Sequence, residues 1–135
     1  MQKQLVQVAA FQSAFGQKIN NTPTLIGLDT YDLRFELMKE ENEEYLEACQ
    51  NNDLVEVADA LGDMLYILCG TILEHGLQYK IEEIFSEIQR SNMSKLDDDG
   101  NPIINGKNGV LDGSRPLGKI LKSSNFSEPN LKQFL

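Results

Sequence analysis

Two carboxylates, Glu41 and Glu44, fall where helical periodicity places an apolar face. At about 100° per residue, Leu37, Met38, Tyr45, Ala48 and Cys49 share one side of the segment ending near residue 50. Glu41 lands between Leu37 and Tyr45, and Glu44 at the margin beside Leu37. Three residues apart on a helix, their side chains are neighbours. Glu36, Glu40, Glu43 and Glu47 collect on the opposite, ordinary solvated side. The next segment is stranger. Leu54, Val55, Val57, Leu61, Met64, Leu65, Ile67, Leu68, Ile72 and Leu73 surround almost its whole circumference, the pattern of a buried helix. Yet Glu56, Asp59, Asp63 and Glu74 form one stripe within about 60° of arc. Gly70 lies in the stripe and Gly62 near its far side, where a missing side chain lets a helix or a ligand come close.

Burying carboxylates is costly unless they are paired or bind metal. No Lys or Arg occurs between Lys39 and Lys80, so this stretch brings no cation of its own. Either the acids hold protons at raised pKa values, or a hard divalent cation neutralises several together. All-oxygen ligands select Mg²⁺, Mn²⁺ or Ca²⁺, and the metal reading is the favoured one. Asp59 and Asp63, one turn apart, are the leading ligands on the second helix. Glu56 has another role open to it, as partner to Asp53 in a capping box. Glu74, about three turns beyond Asp63, reads as structural. Other sites lack their residues. The one histidine, His75, has no Glu three positions before it, so the di-iron Glu-x-x-His pair is missing. Zinc ligand sets are absent, and the Asp97-Asp98-Asp99-Gly100 run has Gly106 where a calcium loop needs Glu. There is no Walker loop and no GxGxxG.

The elements that must position these acids follow from the same pattern. A weak helix is expected over Leu5–Phe15, then a loop over Asn20–Leu28 marked by Pro23 and Gly27. Asp29 or Thr30 can cap a helix running to about Gln50. After a turn at Asn51–Asp53, a helix runs from Leu54 to His75, with Gly76 suited to its C′ position. A further helix spans about Tyr79 to Ser94, with Ile81, Ile84, Phe85 and Ile88 on one face. Beyond Lys95, glycines at 106, 109, 113 and 118 exclude another long helix. A small hairpin and an extended end at Leu131–Leu135 are expected there. The fold class is all-α: an antiparallel helical bundle with an irregular C-terminal arm. It reads as one domain over 1–135, with a helical core over 1–95 and the arm over 96–135.

The 135 residues suit one core. A net charge of −9 argues against nucleic acid and anionic membrane as partners, though nucleotides can bind an acidic protein through bridging metal. Cys49 and Cys69 read as small buried hydrophobes. Met1-Gln2-Lys3-Gln4 has no long apolar run behind it, and Met64–Leu73 is too short to span a bilayer. A soluble, cytoplasmic protein is expected.

Glu40-Glu41-Asn42-Glu43-Glu44, followed by Asp59-Ala60-Leu61-Gly62-Asp63-Met64-Leu65-Tyr66, resembles the signature of the all-alpha nucleotide pyrophosphohydrolases. This superfamily includes MazG, the dimeric dUTPases and phosphoribosyl-ATP pyrophosphohydrolase. The likeness is closest to its MazG-like, phosphoribosyl-ATP pyrophosphohydrolase-like group. It is extended by Gly70-Thr71, Glu74-His75-Gly76, Arg90-Ser91-Asn92-Met93-Ser94-Lys95-Leu96 and Gly118-Lys119-Ile120-Leu121-Lys122, and so covers residues from about 5 to 130. The resemblance implies a pyrophosphohydrolase that cuts a nucleoside triphosphate to monophosphate and pyrophosphate, in nucleotide-pool housekeeping. The alternatives are phosphoribosyl-ATP hydrolysis in histidine synthesis and a non-catalytic, metal-binding dimerisation module. It implies Mg²⁺, or Mn²⁺, on Glu41, Glu44, Asp59 and Asp63, with Glu40 and Glu56 assisting. Glu40 or Glu44 would orient or deprotonate a water. Arg90, Asn92, Lys95, Lys119 and Lys122 would steady the phosphates. Much of the superfamily has Glu where this chain has Ala60, so the fourth ligand falls to Asp59 or Glu56. Members are homodimers or homotetramers, which agrees with a helix too apolar for one chain to cover.

Overall fold

The computed structural model describes all residues from Met1 to Leu135. It is all-α, with helices α1 (Gln2–Ala14), α2 (Leu28–Gln50), α3 (Leu54–Glu74) and α4 (Ile81–Met93), and a closing 3₁₀ turn at Leu131–Phe134. No helix is long and apolar enough to cross a membrane. Contacts divide the chain into Met1–Ile81 and Glu82–Leu135. Nearly all of α4 therefore groups with the arm, whereas the sequence reading placed the division at residue 95.

In the first unit α2 and α3 form an antiparallel hairpin. Asp53 is the N-cap of α3, its carboxylate accepting the Val55 and Glu56 amides, which satisfies two donors the helix cannot bond itself. The expected capping box is only half made. The Asp53 amide donates to the Ala48 carbonyl instead, so the turn leaves Glu56 no capping role for its side chain. The start of α2 also differs from expectation. Gly27, not Asp29 or Thr30, is its N-cap, because the Thr30 and Tyr31 amides both reach the Gly27 carbonyl. Asp29 sits instead in the first turn, where the helix dipole favours an acid.

The core is small. Leu5 and Val8 of α1 pack on Cys69, Ile72 and Leu73 of α3, with Ala9, Ile19, Leu77 and Ile81 around them. A polar knot closes one end. Arg34 of α2 donates to Glu74 of α3, and Gln12 of α1 donates to Glu74 and to the Gly70 carbonyl. A side chain at Gly70 would meet Arg34 at 3.2 Å, so that glycine serves the close approach its place in the acidic stripe foretold. At the end of α3, Gly76 takes φ +68° as the C′ residue, and its backbone lies against Thr22. The His75 ring bonds the Thr24 carbonyl, and the Thr24 amide returns to the His75 carbonyl. The 20–26 loop is thereby strapped to the helix end.

Within a single chain α3 is not buried all round. Leu54 is 80 % and Leu61 50 % exposed, and Leu65 and Leu68 are exposed as well. Cys49, expected to be buried, is also exposed, since nothing in the chain covers that side of the last turn of α2. Cys69 is fully buried.

In the second unit the arm is bonded to α4 and to the turn that follows it. Ser123 donates to the Leu96 carbonyl, the Ser127 amide to the Ser94 hydroxyl, and the Asn130 amide to Glu87. The expected hairpin shrinks to one antiparallel bridge, Ile104 with Ile120. Asn105, 1 % exposed, organises the loop between them by donating to the carbonyls of Asp112, Arg115 and Pro116 and accepting the Asp112 amide. Leu131–Leu135 is not extended: its residues to Phe134 form the 3₁₀ turn.

Candidate active site

The hairpin of α2 and α3 brings the expected acids together around Glu41. Glu41 is half-buried, and its Oε2 is buried without a hydrogen-bond partner in the chain. Its pKa is raised, first by burial and then by the charges of Glu44, Asp63, Glu40 and Asp59. All four groups acting on it are carboxylates, two from its own helix and two from the facing one. This is the arrangement implied by an acid inside the apolar arc of α2 opposite an acidic stripe on α3. Glu40, Glu44, Asp59 and Asp63 are themselves exposed. Glu56 is exposed too and lines, with Glu44, Glu47, Ala48, Asn51 and Asp53, a cleft of about 350 Å³ at the turn of the hairpin. It is not among the charges that act on Glu41.

Such a set can do two things. Unneutralised, it holds a proton on Glu41 more tightly than an ordinary glutamate. Neutralised by a cation, it presents only hard oxygen donors. No three His, Cys, Asp or Glu side chains meet around a single point, so the carboxylates are neighbours in charge without forming a closed cage. Ala60, where the signature that the sequence resembles would place Glu, is buried. Of the two residues expected to replace that acid, Asp59 acts on Glu41 and Glu56 does not.

Glu74 shares the stripe but not the cluster. Its carboxylate is bound by Arg34 and Gln12, in keeping with a structural role. Its cation, Arg34, lies just outside the stretch between Lys39 and Lys80 that carries no Lys or Arg. Arg34 stands seven residues before Glu41, about two turns away on the same face, and that spacing was the signal available.

The residues expected to touch phosphate lie in the second unit. Arg90 donates to both Glu87 oxygens, to the Ser127 hydroxyl and to the Glu128 carbonyl. Lys95 donates to the side chain of Asn92. Lys122 pairs with Glu128 and lies 3.9 Å above the Phe126 ring. Lys119 is exposed, and its carbonyl accepts the Asn105 amide.

Residues 8–92 match the family described as phosphoribosyl-ATP pyrophosphohydrolase. The matched span is well over half of the chain and contains every acid of the α2–α3 set. The chain belongs to that family. As a member of the phosphoribosyl-ATP pyrophosphohydrolase family, within the MazG-like all-alpha superfamily, it is placed among the hydrolases of phosphoric anhydrides. The match takes in Arg90 and Asn92 and stops before Lys95, Lys119 and Lys122. No curated protein matches the chain.

Proposed function

We propose that the protein hydrolyses the bond between the α- and β-phosphates of a nucleoside triphosphate, with Mg²⁺ or Mn²⁺ held by Glu41, Glu44, Asp59 and Asp63. The observation that carries the reading is Glu41 itself: a buried carboxylate oxygen with no partner, facing only other carboxylates. A structural acid in that position is expected to find a cation from the protein, as Glu74 does. The donor set suits a hard divalent ion, and binding would have to draw the exposed side chains together. When bound, such an ion supplies charge neutralisation of the phosphates and a more acidic water. Glu41 and Asp63 would hold it from opposite helices, and Asp59 would take the place of the acid missing at Ala60. Glu40 or Glu44 would accept the proton of the attacking water. Arg90, Asn92, Lys95, Lys119 and Lys122 would bind phosphate oxygens. Lys119 is the one of these whose side chain has no partner within the chain. We take the exposed apolar side of α3 to be covered by further protomers in a dimer or tetramer.

The family description favours a second reading of the same chemistry, in which the substrate is phosphoribosyl-ATP. Product analysis by phosphorus NMR separates the possibilities. Monophosphate and pyrophosphate from nucleoside triphosphates support the first reading, and turnover of phosphoribosyl-ATP alone supports the second. Release of single phosphate with a nucleoside diphosphate left behind contradicts both.

A further inference from the structure

We infer that the groove between α1 and α3, beside the acid stripe, is the seat of the substrate's nucleobase; the inference rests on the nucleotide reading above. The groove has a volume of about 210 Å³ and is lined by Gln4, Gln7, Gly62, Leu65, Tyr66 and Cys69. That is room for roughly seven waters, and less than the ~300 Å³ at which pockets for whole ligands begin. It suits one flat heterocycle rather than a whole nucleotide.

Three observations converge on it. Gly62 lies inside α3, where glycine is a weaker helix former than alanine. A side chain there would meet nothing within 4 Å. No part of this chain needs that glycine, unlike Gly70 and Gly76, so whatever approaches closely comes from outside the chain. Next, Gln4 and Gln7 are exposed, and neither side-chain amide bonds to any group of the protein. An amide both donates and accepts, as does the edge of a base. Finally, the Tyr66 ring is held edge-on by Phe11 at 5.5 Å and 84°. It is thus a fixed aromatic wall on which a base can stack, as bases do on aromatic side chains in single-strand binding proteins. Gly62 belongs to the same stretch of α3 as Asp59 and Asp63, so a base seated there keeps its phosphates near the acids.

The test compares binding of α,β-methylene-ATP and of inorganic tripolyphosphate to the full chain by calorimetry with Mg²⁺, for wild type, Gly62→Leu and Gln7→Leu. Leucine is a strong helix former, so Gly62→Leu keeps α3 intact while filling the groove. The expected result is a loss of at least tenfold in affinity for α,β-methylene-ATP with tripolyphosphate unchanged within twofold. Gln7→Leu should show a smaller loss in the same direction. Unchanged nucleotide affinity in Gly62→Leu overturns the inference and leaves the hydrolase reading standing. So does an equal loss for both probes, which would mean that the substitution acts through the acids. A change in molecular mass in solution at unaltered nucleotide affinity assigns the groove to a second copy of the chain and also overturns it. Failure of wild type to bind either probe overturns the nucleotide reading, and this inference with it.

Discussion

The Arg34 guanidinium donates to the Glu74 carboxylate inside the first unit, joining the first turns of α2 to the last turn of α3. Both side chains are more than nine-tenths buried. The pair sits at the opposite end of the α2–α3 interface from the hairpin turn, so it fixes the register that sets Glu41 against Asp59 and Asp63.

Removing one partner of a buried pair leaves an uncompensated charge and costs about 3–5 kcal/mol. Arg34→Met is expected to lose that much stability in urea unfolding. Adding Glu74→Leu to it should recover most of the loss, since two apolar side chains leave no charge stranded. A single variant within about 1 kcal/mol of wild type, as surface pairs behave, would contradict the structural role.

Two glycines of α3 and its cap should respond to alanine with opposite signs. At Gly76 the added methyl would sit 2.0 Å from the Thr22 carbonyl oxygen, at φ +68°. Strain and clash together should lower stability by roughly 1–3 kcal/mol. At Gly62 there is open space in a helix interior, and alanine should raise stability by about 0.5–1 kcal/mol. Thermal unfolding of both variants checks the pair. A Gly62→Ala variant with lowered Tm would show that something in the chain packs there after all.

Glu41 links stability to pH. Burial, then the charges of Glu44, Asp63, Glu40 and Asp59, raise its folded pKa above the ordinary value. Its contribution is therefore fully present below the unfolded pKa of about 4.3, and is lost as pH rises through the raised folded value. Glu41→Gln should thus match wild type at low pH and exceed it in Tm at neutral pH. Mg²⁺ should raise the Tm of wild type at neutral pH and leave that of Glu41→Gln nearly unmoved. A variant less stable than wild type at neutral pH without added metal would contradict the burial of an unpaired charge.

Glu87 behaves in the reverse sense. Hydrogen bonds from Arg90 and then from the Asn130 amide lower its pKa to about 2. Its contribution is present above the unfolded value of about 4.3 and is lost as pH falls through about 2. Hydrogen exchange at the Asn130 amide should quicken, relative to amides of α4, as the solution is taken from pH 4.5 to 2. Glu87→Gln should weaken the same attachment at pH 7. Uniform exchange through that range would show that the end of the arm is not held by this contact.

The four helices and the Glu41 cluster were legible because both express a single periodicity. Leu54–Glu74 lies within one residue of its sequence bounds, and an acid placed in the apolar arc of α2 proved half-buried with an orphaned oxygen. What was not legible came from partners that an apolar periodicity does not name. The expected box at Asp53 gave way to a bond with Ala48, and Glu74 found its cation on another helix. The expected phosphate ligands Arg90 and Lys122 are held by Glu87 and Glu128, and of these only the Glu87–Arg90 pair, three apart on α4, was offered by helical spacing. The loop around Asn105 rests on one buried amide reading four backbone groups, which leaves only scattered glycines as a trace in the sequence.

The most direct test of the central claim is pyrophosphate release from a panel of nucleoside triphosphates and phosphoribosyl-ATP, with Mg²⁺ or with EDTA, for wild type, Glu41→Gln and Asp63→Asn. Loss of an interaction made to the reacting groups commonly costs two or more orders of magnitude. The prediction is metal-dependent release by wild type, abolished by EDTA and reduced at least a hundredfold in both variants while they remain folded. Release that persists in EDTA, or that survives undiminished in Glu41→Gln, would contradict the assignment of the α2–α3 carboxylates as the active site.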